Sequence, residues 1–363
     1  MGISQPTKAK SLSMKMKSLS PLTLTLTATL LIISAKGTVL AQNGPGPQGL
    51  RPGFGHPTSA LDSPAYTEEE KQMILQVAPK FVQREFTDDR GTTLKYNLFI
   101  PDDYNPQQSY PLVLFIHDAG GLSEDATHTL YQGTGAIYFA SPEDQAKHPC
   151  FVLAPQYSTV MESPDTELGQ ATFDLLEQLF LEFSIDRKRV YNTGQSMGGM
   201  FALASNIAYP DFFAASYLVA CQWETDEFYR FAKKPMWIVV AEGDPKAYPG
   251  MQEGCKAWAA AGAKIAEAQW DGNHLTDEYT SDVQAMLSKD ANIRFVHFKL
   301  GTVPSSRPSD SGPRNESAGQ DEGPGSGRQG MRMEHNDTWP VAYRIGGIRD
   351  WLFEQVNDCN CGK

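Results

Sequence analysis

The chain has 363 residues and a formal net charge of −12 at pH 7, from 31 basic and 43 acidic side chains. That balance disfavours nucleic acid and anionic membrane surfaces as partners, since both repel an acidic protein. The five cysteines, Cys150, Cys221, Cys255, Cys359 and Cys361, have spacings that suit no structural zinc site, and an odd number leaves at least one thiol unpaired even where disulfides are permitted.

Residues 1–41 read as an export signal. Lys8, Lys10, Lys15 and Lys17 form a basic start, Leu22 to Ile33 an apolar stretch interleaved with Thr, and Val39-Leu40-Ala41 a small-residue cleavage site. The apolar stretch is too short and too rich in Thr for a membrane span, so no stable membrane insertion is expected. Cleavage after Ala41 would remove five of the 31 basic residues and leave 322 residues with a net charge of −17, secreted or periplasmic. Residues 42–65, rich in Gly, Pro and small polar side chains, read as a linker. The folded domain is expected over 66–357, and about 240 residues of it are enough for one large α/β core.

Thr67-Glu68-Glu69-Glu70 offers a capping box for a helix running to about Val77. Phe81 to Phe86 and Leu94 to Ile100 alternate in polarity and suggest an antiparallel hairpin around Asp88-Asp89-Arg90-Gly91. Pro111 to His117 and Cys150 to Ala154 are apolar runs suited to strands covered on both faces. Leu168 to Phe183 has helical spacing, and strands follow at Arg189, Ser216 to Ala220, Met236 to Val240 and Ile293 to Phe298. Helices are expected at Gln252 to Ala261 and Asp277 to Leu287. The alternation predicts a mainly parallel sheet with helices on both faces, edged by the antiparallel hairpin. Thr302 to Met333 is dominated by Ser, Gly, Pro and charged residues and reads as a disordered insert. Trp339 to Val356 reads as a closing helix, loosened at Gly346-Gly347.

Arg189 to Met200 carries the strongest chemical signal. A short strand leads into Gly194-Gln195-Ser196-Met197-Gly198, and a small-residue helix follows, as a nucleophile elbow requires. The glycines on either side of Ser196 leave room where a Cβ would meet the turn. A Ser hydroxyl needs a base within hydrogen-bond reach and an acid to orient that base. Both are expected after the elbow, at the ends of later strands, in the order acid then His. Asp244 sits just past the strand ending at Val240, with Glu242 as competitor. Of the histidines beyond it, His297 is mid-strand, His274 precedes the last strand, and His335 follows that strand where the base belongs. The oxyanion would be held by the N–H of Met197 and by an N–H in His117-Asp118-Ala119-Gly120-Gly121, with Ala119 ahead of Gly120. Asp118, Gly120, Gln195, Trp223 and Trp339 are candidates for a substrate pocket. Asn315-Glu316-Ser317 and Asn336-Asp337-Thr338 match glycosylation acceptors.

Taken together, Ile116 to Gly121, the elbow, the Asp244 loop and His335 resemble the α/β-hydrolases. More narrowly the chain resembles secreted esterases related to polyhydroxybutyrate depolymerase and feruloyl esterase, and the "predicted peptidase" group beside them. The shared features are Lys234-Pro235-Met236-Trp237-Ile238, His335 with Trp339, Ala342-Tyr343, and Asp350-Trp351-Leu352. The resemblance implies an α/β-hydrolase fold and a serine carboxylic-ester hydrolase with a Ser196–His335–Asp244 triad and no metal or organic cofactor. Its substrate would be a small-molecule or polymer-linked ester. A peptidase of the same fold and a catalytically inactive binding protein are the other readings; an intact Ser, Asp and His in chain order weighs against the second. The sequence departs from the family pattern in two places. His117-Asp118 stands where the family has His-Gly, and the stretch from the last strand to His335 is unusually long.

Overall fold

Alternation along each strand decides which side of the sheet a residue covers. In β3 (Tyr110–Ile116), Leu112, Leu114 and Ile116 face one layer of helices, while Val113 and Phe115 face the other. All seven residues of β3 are buried, which is why the run lacks the polar half of an amphipathic strand. The computed structural model describes residues 60–63, 65–304 and 326–357, with 326–333 as backbone alone. The expected leader, nearly all of the linker, residues 305–325 of the expected insert, Cys359 and Cys361 lie outside the described residues.

The sheet has nine strands in the order β1-β2-β4-β3-β5-β6-β7-β9-β8. Besides β3 these are β1 (Val82–Thr87), β2 (Thr93–Phe99), β4 (Phe151–Gln156), β5 (Ile185–Gln195), β6 (Ala215–Val219), β7 (Met236–Ala241), β8 (Ile265–Trp270) and β9 (Ile293–Phe298). The β1–β2 and β2–β4 pairs are antiparallel, and every other pair is parallel. The mainly parallel sheet with an antiparallel hairpin at one edge is therefore as expected. β8 was not expected: Ala266, Glu267 and Ala268 are weak strand formers, and pairing with β9 overrides that preference.

The helices are α1 (Glu68–Val77), α2 (His128–Gln132), α3 (Gly135–Phe139), α4 (Pro142–Lys147), α5 (Glu167–Glu182), α6 (Met197–Ala208), α7 (Ala247–Ala260), α8 (Thr276–Leu287), α9 (Ser326–Arg344) and α10 (Gly346–Phe353). α5, α6 and α7 cover one face of the sheet; α1, α3, α8, α9 and α10 cover the other. α2 to α4, at five or six residues each, are too short to show a helical period in sequence. The closing helix begins at Ser326, well before Trp339, so part of the expected insert is helical. Among the described residues no helix is long and apolar enough to cross a membrane. Cys150, Cys221 and Cys255 are free, buried thiols.

Two buried acids tie the helical layer together. Glu70 completes the capping box of α1 with Thr67, accepts a hydrogen bond from the Tyr138 hydroxyl at 2.5 Å, and pairs with Arg344 at the end of α9. Asp144 in α4 pairs with Arg349 in α10 through two hydrogen bonds of 2.6 and 2.8 Å, with both side chains at most 4% exposed. Replacing Asp144 by Ala leaves a guanidinium buried without its counter-ion, which costs about 3–5 kcal/mol. The expected result is a melting temperature lower by roughly 6–20 °C. A calorimetric scan that finds Asp144→Ala as stable as wild type would show that the pair contributes little.

Candidate active site

The β5–α6 junction places Ser196. Its backbone has φ +51° and ψ −116°, a conformation that side chains other than Gly rarely adopt. The Ser196 N–H donates to the Val219 carbonyl at 3.0 Å, and its carbonyl accepts from the Met200 N–H at 2.9 Å, so the strain is fixed from both sides. A Cβ on Gly198 would run into the carbonyl of Ile116, and one on Gly194 into the backbone of Gly198. Both glycines are thus required by close backbone approach, and the turn holds the partly exposed Ser196 side chain at the end of β5.

Asp244 follows β7 and is almost wholly buried. One of its carboxylate oxygens accepts the N–H groups of Lys246 (3.0 Å) and Ala247 (2.9 Å). The other accepts a hydrogen bond from Nδ1 of His335. Burial pushes its carboxyl pKa up, but the His335 bond and the two amides outweigh burial and hold it below the ordinary carboxylate value. Nε2 of His335 lies 3.0 Å from the Ser196 hydroxyl. The structure therefore brings Ser196, His335 and Asp244 into one hydrogen-bonded chain. The competitors lie elsewhere. Glu242 bonds to His297, Gln269 and the Leu300 N–H, and His274 bonds to Asp282. His335 sits within α9 and not in a loop before it.

The turn after β3 is organised by two buried side chains. His117 accepts the Tyr157 N–H on Nε2 at 3.1 Å, so its proton is on Nδ1 and is donated to the Asp118 carbonyl at 2.7 Å. Burial holds this imidazole pKa below its ordinary value. Asp118 does not crowd the turn. Its carboxylate folds back to accept the Gly120 N–H at 2.7 Å and the Gln195 side-chain amide at 3.3 Å. The Gly120 N–H is thereby committed, and Ala119 is exposed at the head of the turn. Met197 opens α6, so its N–H has no partner within the helix.

The pocket candidates divide. Trp339 lies one turn along α9 from His335, with the two rings edge to face at 5.8 Å. Trp223, in the loop after β6, packs against the core beside α6. Gly120 is exposed. Asp118 and Gln195 are buried and bonded to each other and, through Gln195, to Gln132, so they support the turn from behind. Sequence reasoning missed Glu334, whose carboxylate accepts the N–H groups of Gly243 and Gly301, both at 2.8 Å. No motif marks it.

No protein-family model matches the chain, and no curated protein matches it. Among solved structures it is similar to a thermostable esterase, with 24% identity and a TM-score of 0.59 over 77% of this chain and 64% of that one. The likeness thus takes in less than two thirds of that esterase. The fold is that of the α/β-hydrolases. Weaker likenesses are to a feruloyl esterase module from Clostridium thermocellum (14% identity, TM-score 0.44, 67% of this chain and 88% of that one) and to an esterase from Thermogutta terrifontis (13%, 0.41, 61% and 82%). In an α/β-hydrolase the elbow, acid loop and His-bearing segment meet at the C-terminal ends of the strands. Here the ends of β5 and β7 and the middle of α9 bring Ser196, Asp244 and His335 together.

Proposed function

We propose that the protein is an exported serine carboxylic-ester hydrolase working through an acyl-enzyme. The hydrogen-bonded chain from the Ser196 hydroxyl through His335 to Asp244, on a strained strand-to-helix turn, carries this reading. Ser196 Oγ attacks the ester carbonyl while its proton passes to Nε2 of His335. The tetrahedral oxyanion is held by the amides of Met197 and Ala119. Collapse expels the alcohol, protonated by His335, and leaves an acyl-Ser196. Water then adds with His335 as base, releasing the carboxylic acid and restoring the hydroxyl. Asp244 keeps the imidazole in the required tautomer throughout. The proposed partner is a small-molecule or polymer-linked ester; export rests on the leader at 1–41.

Two assays on the full chain test this. A fluorophosphonate probe should label the wild type and should not label Ser196→Ala. p-Nitrophenyl acetate and a feruloyl ester should be turned over faster than a peptide amide. A preference for the amide would make the protein a peptidase, and absence of labelling would leave a binding protein.

A further inference from the structure

His335 must present Nε2 to Ser196 and Nδ1 to Asp244 at once, so the turns of α9 on either side of it need fixing as closely as the imidazole itself. Beyond the histidine, α9 is held by core contacts. Tyr217 donates to the Ala342 carbonyl at 2.5 Å, the Tyr343 and Thr193 hydroxyls meet at 3.0 Å, and Val341 is fully buried. On the other side of His335 the anchor is Glu334. Its Oε2 accepts the Gly243 N–H and its Oε1 the Gly301 N–H, each at 2.8 Å. Gly243 immediately precedes Asp244, and Gly301 lies in the turn after β9, the strand paired with β7. One carboxylate therefore spans the ends of two neighbouring strands, while covalently it is next to the imidazole. The Thr338 hydroxyl donates to the Glu334 carbonyl at 2.6 Å and holds the same turn of helix.

The surrounding backbone is shaped to receive this side chain. A Cβ on Gly243 would collide with the Glu334 carboxylate, and Gly301 has φ +76°, where glycine is favoured. Glu242 points the other way, bonding Gln269, His297 and the Leu300 N–H, so it does not duplicate the link.

We infer that Glu334 is a positioning residue that sets the register between His335 and Asp244 by clamping α9 to the amides of Gly243 and Gly301. The inference rests on the reading of His335 as the general base. Loss of the clamp lets the imidazole drift, and a displacement of about 1 Å at such a site lowers the rate roughly 10²-fold.

The test uses the full chain as wild type, Glu334→Ala, Glu334→Gln and Gly243→Ala. The first readout is the far-downfield NMR signal of the His335 Nδ1 proton, assigned by its loss in His335→Asn. The second is kcat and KM for p-nitrophenyl acetate, normalised to the folded fraction from circular dichroism. In Glu334→Ala the signal should move upfield and broaden, and kcat should fall by about 10²-fold with KM little changed. Gly243→Ala should reproduce this from the other side of the clamp. Glu334→Gln, which keeps one acceptor but turns an NH2 toward the second amide, should fall between. An unchanged signal and kcat in folded Glu334→Ala would overturn the inference, as would a kcat loss that only matches the loss of folded protein. A wild type that turns over no ester would refute the proposed function instead, and the proton signal alone would then decide whether Glu334 sets the register.

Discussion

Replacing Ser196 by Ala should lower kcat for p-nitrophenyl acetate by about 10⁶-fold, with the melting temperature nearly unchanged. The chemistry loses its nucleophile, and what remains is the rate supplied by binding and the oxyanion donors, about 10³–10⁴ over water. Stability should be spared because the side chain is partly exposed and makes one described hydrogen bond, to His335. The backbone strain stays, since Ala at φ +51° is as unfavourable as Ser. Ser196→Gly relieves that strain and should melt higher by a few degrees, roughly 1 kcal/mol. Stopped-flow acylation and a thermal scan on the same preparations read both effects. Hydrolysis by Ser196→Ala at more than a thousandth of the wild-type rate would remove Ser196 from the role assigned to it.

How much of this could be read in the sequence depended on how local each cause was. β3, β4, β6 and β7 are buried on both faces and announced themselves as apolar runs, whereas β9, equally buried, carries Arg294 and His297 among its apolar residues. β8 did not, because Ile265–Trp270 becomes a strand through its pairing with β9. The elbow was legible because its motif, Gly194 to Gly198, lies within five residues, although the backbone that forbids a Cβ on Gly198 belongs to Ile116 in β3. The first half of α9 was hidden because Ser326 to Met333 is mostly Gly, polar and basic residues, and Glu334 and His335 after it add no apolar periodicity. What Asp118 does in place of the family's Gly was not legible, because its carboxylate acts by folding back onto Gly120 and onto Gln195, 77 residues away. Glu334 was illegible because its partners lie 91 and 33 residues away. Gly243 and Gly301 were the visible halves of that contact, and neither glycine has meaning until the helix is in place.

Asp244→Asn carries the other large expected effect, a fall in kcat of about 10⁴-fold at neutral pH with Ser196 still in place. An amide could in principle present its oxygen to Nδ1 of His335 and preserve the tautomer. The loop forbids it. The outer oxygen position of residue 244 faces the N–H groups of Lys246 and Ala247, at 3.0 and 2.9 Å, and both need an acceptor there. The amide oxygen is held at that position, so its NH2 points at the imidazole. Nδ1 must then accept, the proton moves to Nε2, and the nitrogen facing Ser196 can no longer take the hydroxyl proton. The folded state responds in a separate way. The Asp244 carboxyl pKa is lowered on folding, so its stabilising contribution is present above the unfolded carboxylate value of about 4 and is lost as pH falls through the lower, folded value. Asn has no such dependence. The gap in melting temperature between wild type and Asp244→Asn should therefore be largest near neutrality and shrink on acidification, while the kcat defect tracks the tautomer. A variant with wild-type kcat at neutral pH would mean that the amide had turned its oxygen to His335 and left the Lys246 and buried Ala247 N–H groups without their acceptor, a cost the thermal scan would reveal.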